Sequence, residues 1–385
     1  MSQAIPYPQD RTCPYHPPKA YDPLRAGDAP HQVTLYNGQK AWVVAKHAAA
    51  RALLIDKRLS ADRRRAGFPI TAPRLEIGRS TTPSFLTMDG DEHARHRRMF
   101  IAEFAVKRVN ELRPQIESIA HETLDKVLAK GSPADLIADF AVVVPTTVIC
   151  GILGVPYRDR EFFQAAADVF VRDSSLAEIQ RATNDLNEYL TTLAVDPPMD
   201  GLIARLASAG ELTPAEIAID CRTLLFAGQE TTASTMGLAV IALLEHPQQL
   251  AALRAGQNVV EEVLRFVAVL DGGVLRIALE DIEIGGVLIR AGDGVLVSTS
   301  LASRDPDVFT DPDTFDVGRT GRNHVAFGYG IHQCIGQNLA RVELDVALSA
   351  LFERIPALRL AVPTAELELR GGAAIQGVHS LPIAW

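Results

Sequence analysis

Cys334 sits in the run Phe327-Gly328-Tyr329-Gly330-Ile331-His332-Gln333-Cys334-Ile335-Gly336, and the residues that follow, Gln337-Asn338-Leu339-Ala340-Arg341-Val342-Glu343-Leu344, have helical spacing. Two glycines in the run allow a tight loop that delivers the cysteine to the start of that helix. Unpaired amides and the helix dipole favour an anion there, so the spacing predicts a lowered thiol pKa and a thiolate able to act as nucleophile or metal ligand. Cys13, Cys150 and Cys221 are far apart and lack CxxC spacing, which points to neither disulfides nor zinc and leaves them as buried structural thiols.

A second constellation, Ala227-Gly228-Gln229-Glu230-Thr231-Thr232, interrupts an apolar run with small, hydroxyl and acidic residues. Gly228 costs helix stability and a threonine hydroxyl can bond a preceding carbonyl, so a local widening with room for a small ligand is predicted. Taken alone, the same residues read equally well as an internally satisfied polar patch. Glu262 and Arg265 stand three apart on one helical face and can pair, as many surface residues do. Asp91 to Arg98 reads in isolation as a charged helix face.

Such groups need a scaffold, and the sequence supplies a mainly α-helical one with a small β-rich region. Thr213-Pro214-Ala215-Glu216 is a capping box with proline in the first helical position, and Glu245-His246-Pro247 is a stop. The helix between them has about eight turns. Asp220, Arg222, Gln229 and Glu230 exclude it as a membrane span and make it a buried central helix with a polar break. Val33 to Tyr36, a turn at Asn37-Gly38, and Ala41 to Val44 form a predicted hairpin. Helical spacing begins near Glu92, Asn110, Asp159 and Ile179, short strands surround Gly285-Gly286 and Gly292-Asp293-Gly294, and Leu381 to Trp385 reads as extended. With no repeat or linker in the chain, residues 1–385 are expected to form one domain.

Composition limits the partners. The 385 residues are 47% hydrophobic and 22% charged with a formal charge of −9, which disfavours nucleic acid. Met1 to Pro30 holds seven prolines and no apolar run, so neither a leader nor a membrane anchor is expected there, and the cytoplasm is the expected location.

The ten residues around Cys334 match FGxGxHxCxG in full, and with them the chain resembles the cytochrome P450 superfamily from about Thr12 to Trp385. AGxETT at 227–232 and ExxR at 262–265 strengthen the resemblance. So do Asp311 to Arg319, similar to PDxFDxxR, and His93 with Arg97 one turn later. The QNLARVEL run looks like actinobacterial members that tailor natural products. The resemblance implies the P450 fold, with haem b (iron protoporphyrin IX) between the long central helix and the cysteine loop. Cys334 is then the proximal iron ligand, whose sulfur in this family pushes electron density toward iron. By the same resemblance Phe327 packs beside the sulfur, and Gly336, Ala227 and Gly228 line the cofactor. His93, Arg97, Arg276 and His332 hold the propionates, while Glu230 and Thr231 deliver protons to bound dioxygen. Glu262, Arg265 and Arg319 form a network that supports the loop. Substrate would meet Phe85, Leu86, Leu225, Val274, Ile375 and Gln376, within a pocket that also takes in Val169-Phe170. Two stretches, Thr191 to Leu202 and Leu253 to Val259, look short for the family, and Ser303 stands where asparagine is common.

The implied activity is monooxygenation: one oxygen atom from O2 enters a hydrophobic small molecule, by hydroxylation or epoxidation in secondary metabolism. No flavin or iron–sulfur motif is present, so electrons would come from a ferredoxin and its reductase, docking near Arg95, Arg98 and Arg322 of a monomer. A haem-thiolate NO reductase, isomerase or peroxygenase is the alternative, or a haem-binding protein without turnover; Glu230-Thr231 speaks against NO reduction.

Overall fold

The central helix begins where its capping box predicts: Thr213 Oγ1 accepts from the Glu216 amide, and the Glu216 carboxylate accepts from the Thr213 amide at 2.7 Å. The computed structural model describes residues 5–385 apart from 80, 157–158, 160–161, 164, 167–168, 170–173, 199, 321–322 and 372–374. Among the described residues there are eleven α-helices. They are α1 (His47–Leu54), α2 (Gly90–Ile101), α3 (Val106–Lys130), α4 (Val143–Leu153), α5 (Leu176–Val195), α6 (Leu202–Ala209), α7 (Pro214–Glu245), α8 (Pro247–Arg254), α9 (Val260–Val267), α10 (Thr299–Ala302) and α11 (Gln337–Arg354). The predicted helix near Asp159 falls largely outside the described residues.

The 32-residue α7 is surrounded by α4, α5, α9 and α11. A helix that is apolar all round must be buried, and Ala233 to Leu243 is buried throughout. Gly237 lets a π-helical turn, Ile137–Ala141, approach closely: a Cβ there would lie 2.6 Å from Ile137 Cδ1. Truncating a side chain in this stretch, as in Leu238→Ala, costs about 2–5 kcal/mol. Two apolar cores meet along α7. One takes Ile217 to Leu225 with α3, α4 and α5; the other takes Ala233 to Leu243 with α9 and α11. Residues 227–231 lie at the seam between them.

The β-rich part is a six-stranded sheet, in the order β1 (Ile5–Pro6), β2 (His31–Thr34), β3 (Lys40–Val44), β9 (Gly294–Val297), β6 (Val274–Ala278) and β4 (Leu59–Ser60). The predicted hairpin is β2–β3, with Val33 opposite Ala41 and Gly38 at φ +83° in its turn. The Gly285-Gly286 turn joins β7 (Ile282–Ile284) to β8 (Val287–Ile289). A three-stranded sheet pairs β11 (Pro382–Ala384) with β5 (Ala134–Asp135) and β10 (Arg359–Leu360). Arg11 ties the amino-terminal segment to the body through a buried bidentate pair with Asp271, both contacts at 2.7 Å. No helix among the described residues is long and apolar enough to cross a membrane.

Candidate functional site

Gly328 and Gly330 adopt φ of +68° and +76°, as the tight cysteine loop requires. A Cβ on Gly330 would stand 2.7 Å from the Leu54 carbonyl, so the loop rests on the end of α1. The Cys334 amide closes it by donating to Phe327 O at 2.9 Å, and the Gly336 amide reaches the sulfur just before α11 begins. Cys334 is enclosed by protein yet carries exposed surface, as a residue on the wall of an internal cavity does. Burial pushes its thiol up, against the pull of the Gly336 amide, Arg97 and Arg341. This corrects the expected lowering: the helix-start argument names groups that do favour the thiolate, but burial outweighs them. A metal ion would have to displace the proton.

On α7, Ala227 is exposed between half-buried Phe226 and Gly228, and nothing lies within 4 Å of where a Gly228 Cβ would be. The Thr231 hydroxyl donates to Ala227 O at 2.6 Å, as predicted, but the helix runs through without widening. The space comes from absent side-chain volume and not from unwound backbone. Glu230 lies 3.6 Å from Arg370 Nη1, which also donates to Ser234 Oγ.

His93 and His332 bring their rings to 4.2 Å, and the Nε2 atom of each is buried without a partner among the described residues. Burial and then Arg97 lower His93 to about 4; burial, then Arg276, His93 and Arg97, lower His332 to about 3. Arg97 and Arg276 donate to the carbonyls of Gln333 and Leu275 and form no ion pair among the described residues. Four donors without an anion fit two carboxylates. Together with an internally exposed sulfur and an opening on an apolar helix, they fit an iron porphyrin bearing two propionates. "Cytochrome P450 105A3" of Streptomyces carbophilus is 51% identical to this chain, in an alignment covering 100% of it and 97% of the relative. This chain belongs to the cytochrome P450 family. The Cytochrome P450 family model matches residues 178–256 and 248–356. "Vitamin D3 dihydroxylase" of Streptomyces griseolus is 49% identical over 98% of this P450 and 96% of its own length. The crystal structure of cytochrome P450 MoxA from Nonomuraea recticatena superposes with a TM-score of 0.93 at 43% identity, covering 99% of this chain and 98% of that one. The chain is therefore an enzyme of a family that binds haem b.

Beneath the cysteine loop the P450 brings Glu262, Arg265 and Arg319 together. Arg265 pairs bidentately with Glu262 at 2.7 Å and donates to the carbonyls of Ser303, Pro312 and Thr314; Arg319 adds an ion pair to Glu262 at 3.3 Å. Sequence reasoning missed a neighbouring group. Arg341 pairs with Glu261 at 2.6 Å and stacks over Phe327 at 4.7 Å, while His324 reaches Glu261 at 3.1 Å. Burial pushes Glu261 up, but His324 and Arg341 outweigh it and hold the carboxyl at about 2. The adjacent Glu261-Glu262 pair and the arginine in QNLARVEL were the available hints.

The pocket expectation needs correction at three positions. Leu225 and Gln376 are 0% and 2% exposed, and Phe85 packs against Phe100 at 5.3 Å, so none of them presents surface to a cavity. Leu86 is exposed, and Val274 and Ile375 are half-buried. Phe170 and Arg322 lie outside the described residues. Arg95 and Arg98, expected at a docking face, are engaged in ion pairs with Glu216 and Glu211.

Proposed function

We propose that this P450 is a haem-thiolate monooxygenase that inserts one oxygen atom from O2 into a hydrophobic small molecule, by hydroxylation or epoxidation in secondary metabolism. A ferredoxin and its reductase supply the electrons, and the enzyme works as a cytoplasmic monomer of one domain. The observation that carries the reading is Cys334, enclosed by protein yet exposed, beside a cluster of four donors without an anion. The relative named for dihydroxylation of vitamin D3 supports oxygen insertion into an apolar substrate.

Haem b, when bound, supplies reductive activation of O2. Cys334 Sγ would hold the iron, with Phe327 and Gly336 shaping the loop around the sulfur, while the small residues Ala227 and Gly228 would leave room on α7. His93 and His332 donate from Nε2, and Arg97 and Arg276 from their guanidinium groups, to the propionates. Reduction of the second oxygen atom to water consumes two protons, so a proton path must end in the cavity. Glu230 brings the protons, and Thr231 Oγ1 passes them on by turning away from the Ala227 carbonyl. Leu86, Val274 and Ile375 form apolar walls that keep other water out. Glu262, Arg265 and Arg319 keep the loop in place.

The dithionite-reduced protein with carbon monoxide should show a strongly red-shifted Soret band. A histidine-type band, or no haem, ends the proposal. Turnover with a ferredoxin, its reductase, NADPH and isotopically labelled O2 should place one labelled atom in the product. Label-free product formed with hydrogen peroxide alone would assign the chain to the peroxygenases.

A further inference from the structure

His96 lies three residues beyond His93 on α2, close enough to interact with it electrostatically, yet its ring nitrogens make their contacts with α7 and Arg95. It is 1% exposed, and its Nδ1 lies 2.5 Å from Oδ2 of Asp220, a fully buried carboxylate on α7. The other oxygen of Asp220 accepts the Phe85 amide at 3.0 Å. One side chain thus joins three segments: the loop before α2, α2 itself, and the amino-terminal half of α7. On the far side of the ring, His96 Nε2 is 3.0 Å from Arg95 Nη2 and 3.4 Å from Glu216 Oε1, and those two residues pair with each other at 2.5 Å. Arg98 and Glu211 form an ion pair nearby, and residues 81–88 carry no ionisable side chain. The groups facing the imidazole are therefore Asp220, Glu216 and Arg95, with His93 one helical turn away on α2; burial holds His93 at about 4, so it stays neutral across the range in which His96 titrates.

We propose that Asp220 and His96 are positioning residues that lock the Phe85 backbone, and with it the Leu86 wall of the substrate cavity, to the central helix, and that the charge on His96 sets the strength of the lock. Leu86, exposed beside the anchored Phe85, is presented wherever that amide is held. With both ring nitrogens protonated, Nδ1–H donates to Asp220 and Nε2–H faces Glu216, which gives the buried carboxylate a cationic partner. With Nε2 bare, the ring accepts from Arg95, and the buried Asp220 side chain faces a neutral ring. That is the costlier arrangement. The His96 pKa is raised above 6.5, first by its hydrogen bond to Asp220. The locked form is therefore fully present below pH 6.5 and is lost as pH rises through the raised value.

The proposal rests on reading the cavity as a haem and substrate site, and the experiment separates the two. Carbon monoxide is uncharged, so its association rate with the reduced holoenzyme, measured by flash photolysis across about pH 6–9, reports access past the wall. The parent rate should rise about fivefold with pH. His96→Gln should be fast and independent of pH, and Glu216→Gln, at a more exposed position, should move the midpoint to lower pH. A flat parent profile, or a parent-like profile in either variant, overturns the proposal. If His96→Gln fails to fold, the Glu216→Gln midpoint alone decides it. The position of the carbon monoxide band in the same samples tests the haem-thiolate reading independently.

Discussion

Arg265 and Arg276 are both buried guanidinium groups, 2% and 7% exposed, and the chain treats them differently. Arg265 is surrounded by a bidentate carboxylate and three carbonyls, whereas Arg276 donates to the carbonyl of its own neighbour, Leu275. Buried donors are nearly always paired, so a cluster left open is built for something outside the chain. Arg265 is completed within the chain and Arg276 is not, although both are buried guanidinium groups, and that difference fits the supporting role proposed for the first and the haem-binding role proposed for the second. Burial makes the open cluster costly: it brings Arg276 down to about 10 and His332 to about 3.

The most severe way to break this comparison is Cys334→Ser, which should abolish the red-shifted carbon monoxide band completely, while the melting curve of the haem-free protein stays close to the parent's. On the complete side, Arg265→Ala strips buried Glu262 of its bidentate partner and leaves it only the Arg319 ion pair and the Asp316 amide, and should cost about 3 kcal/mol in urea denaturation with or without haem. On the open side, Arg276→Ala or His332→Phe should weaken haem retention by about 1.5–3 kcal/mol per lost bond, read as transfer to an acceptor globin, and should leave the haem-free protein no less stable. Parent-like haem transfer in both variants would put the open cluster outside the binding site.

Glu343 sharpens the rule by exception, because it is 2% exposed and burial alone raises its carboxyl to about 8. A lone buried acid need not await a ligand; it can keep its proton. The unfolded chain ionises at about 4.5 and the folded one near 8, so thermal stability should fall as pH rises between those values, and Glu343→Gln should flatten the decline. Thr231→Ala should change haem retention and melting least of all. Its effect belongs to turnover, with reducing equivalents diverted to hydrogen peroxide, measured as product formed per NADPH consumed.

Local chemistry was the legible part of this chain. Thr213 and Glu216 fixed the start of α7, Asn37-Gly38 fixed a hairpin, and two glycines fixed the cysteine loop, because each depends on residues a few positions apart. The direction of the Cys334 thiol shift was misread for the same reason: the helix start is local, and the burial that overrides it comes from the whole fold. The expected widening of α7 at Gly228 is absent, and the room there comes from the small residues Ala227 and Gly228. Pairs such as His96 with Asp220, or Glu261 with Arg341, join residues 124 and 80 positions apart, and no spacing rule reaches that far. Burial of Phe85, Leu225 and Gln376 is likewise a property of packing.

The strand order of the large sheet also bears on how the protein is made. β3, from the first fifty residues, lies beside β9, which is completed only at Val297, and the loop carrying Cys334 rests on Leu54. During synthesis the amino-terminal strands must wait, unpaired on one edge, for some 250 residues to emerge. Contacts between such distant parts of a chain form slowly. No fragment that stops short of residue 334 contains the sulfur proposed to hold the iron, so on that reading haem capture must follow synthesis of both partners of the β3–β9 pair.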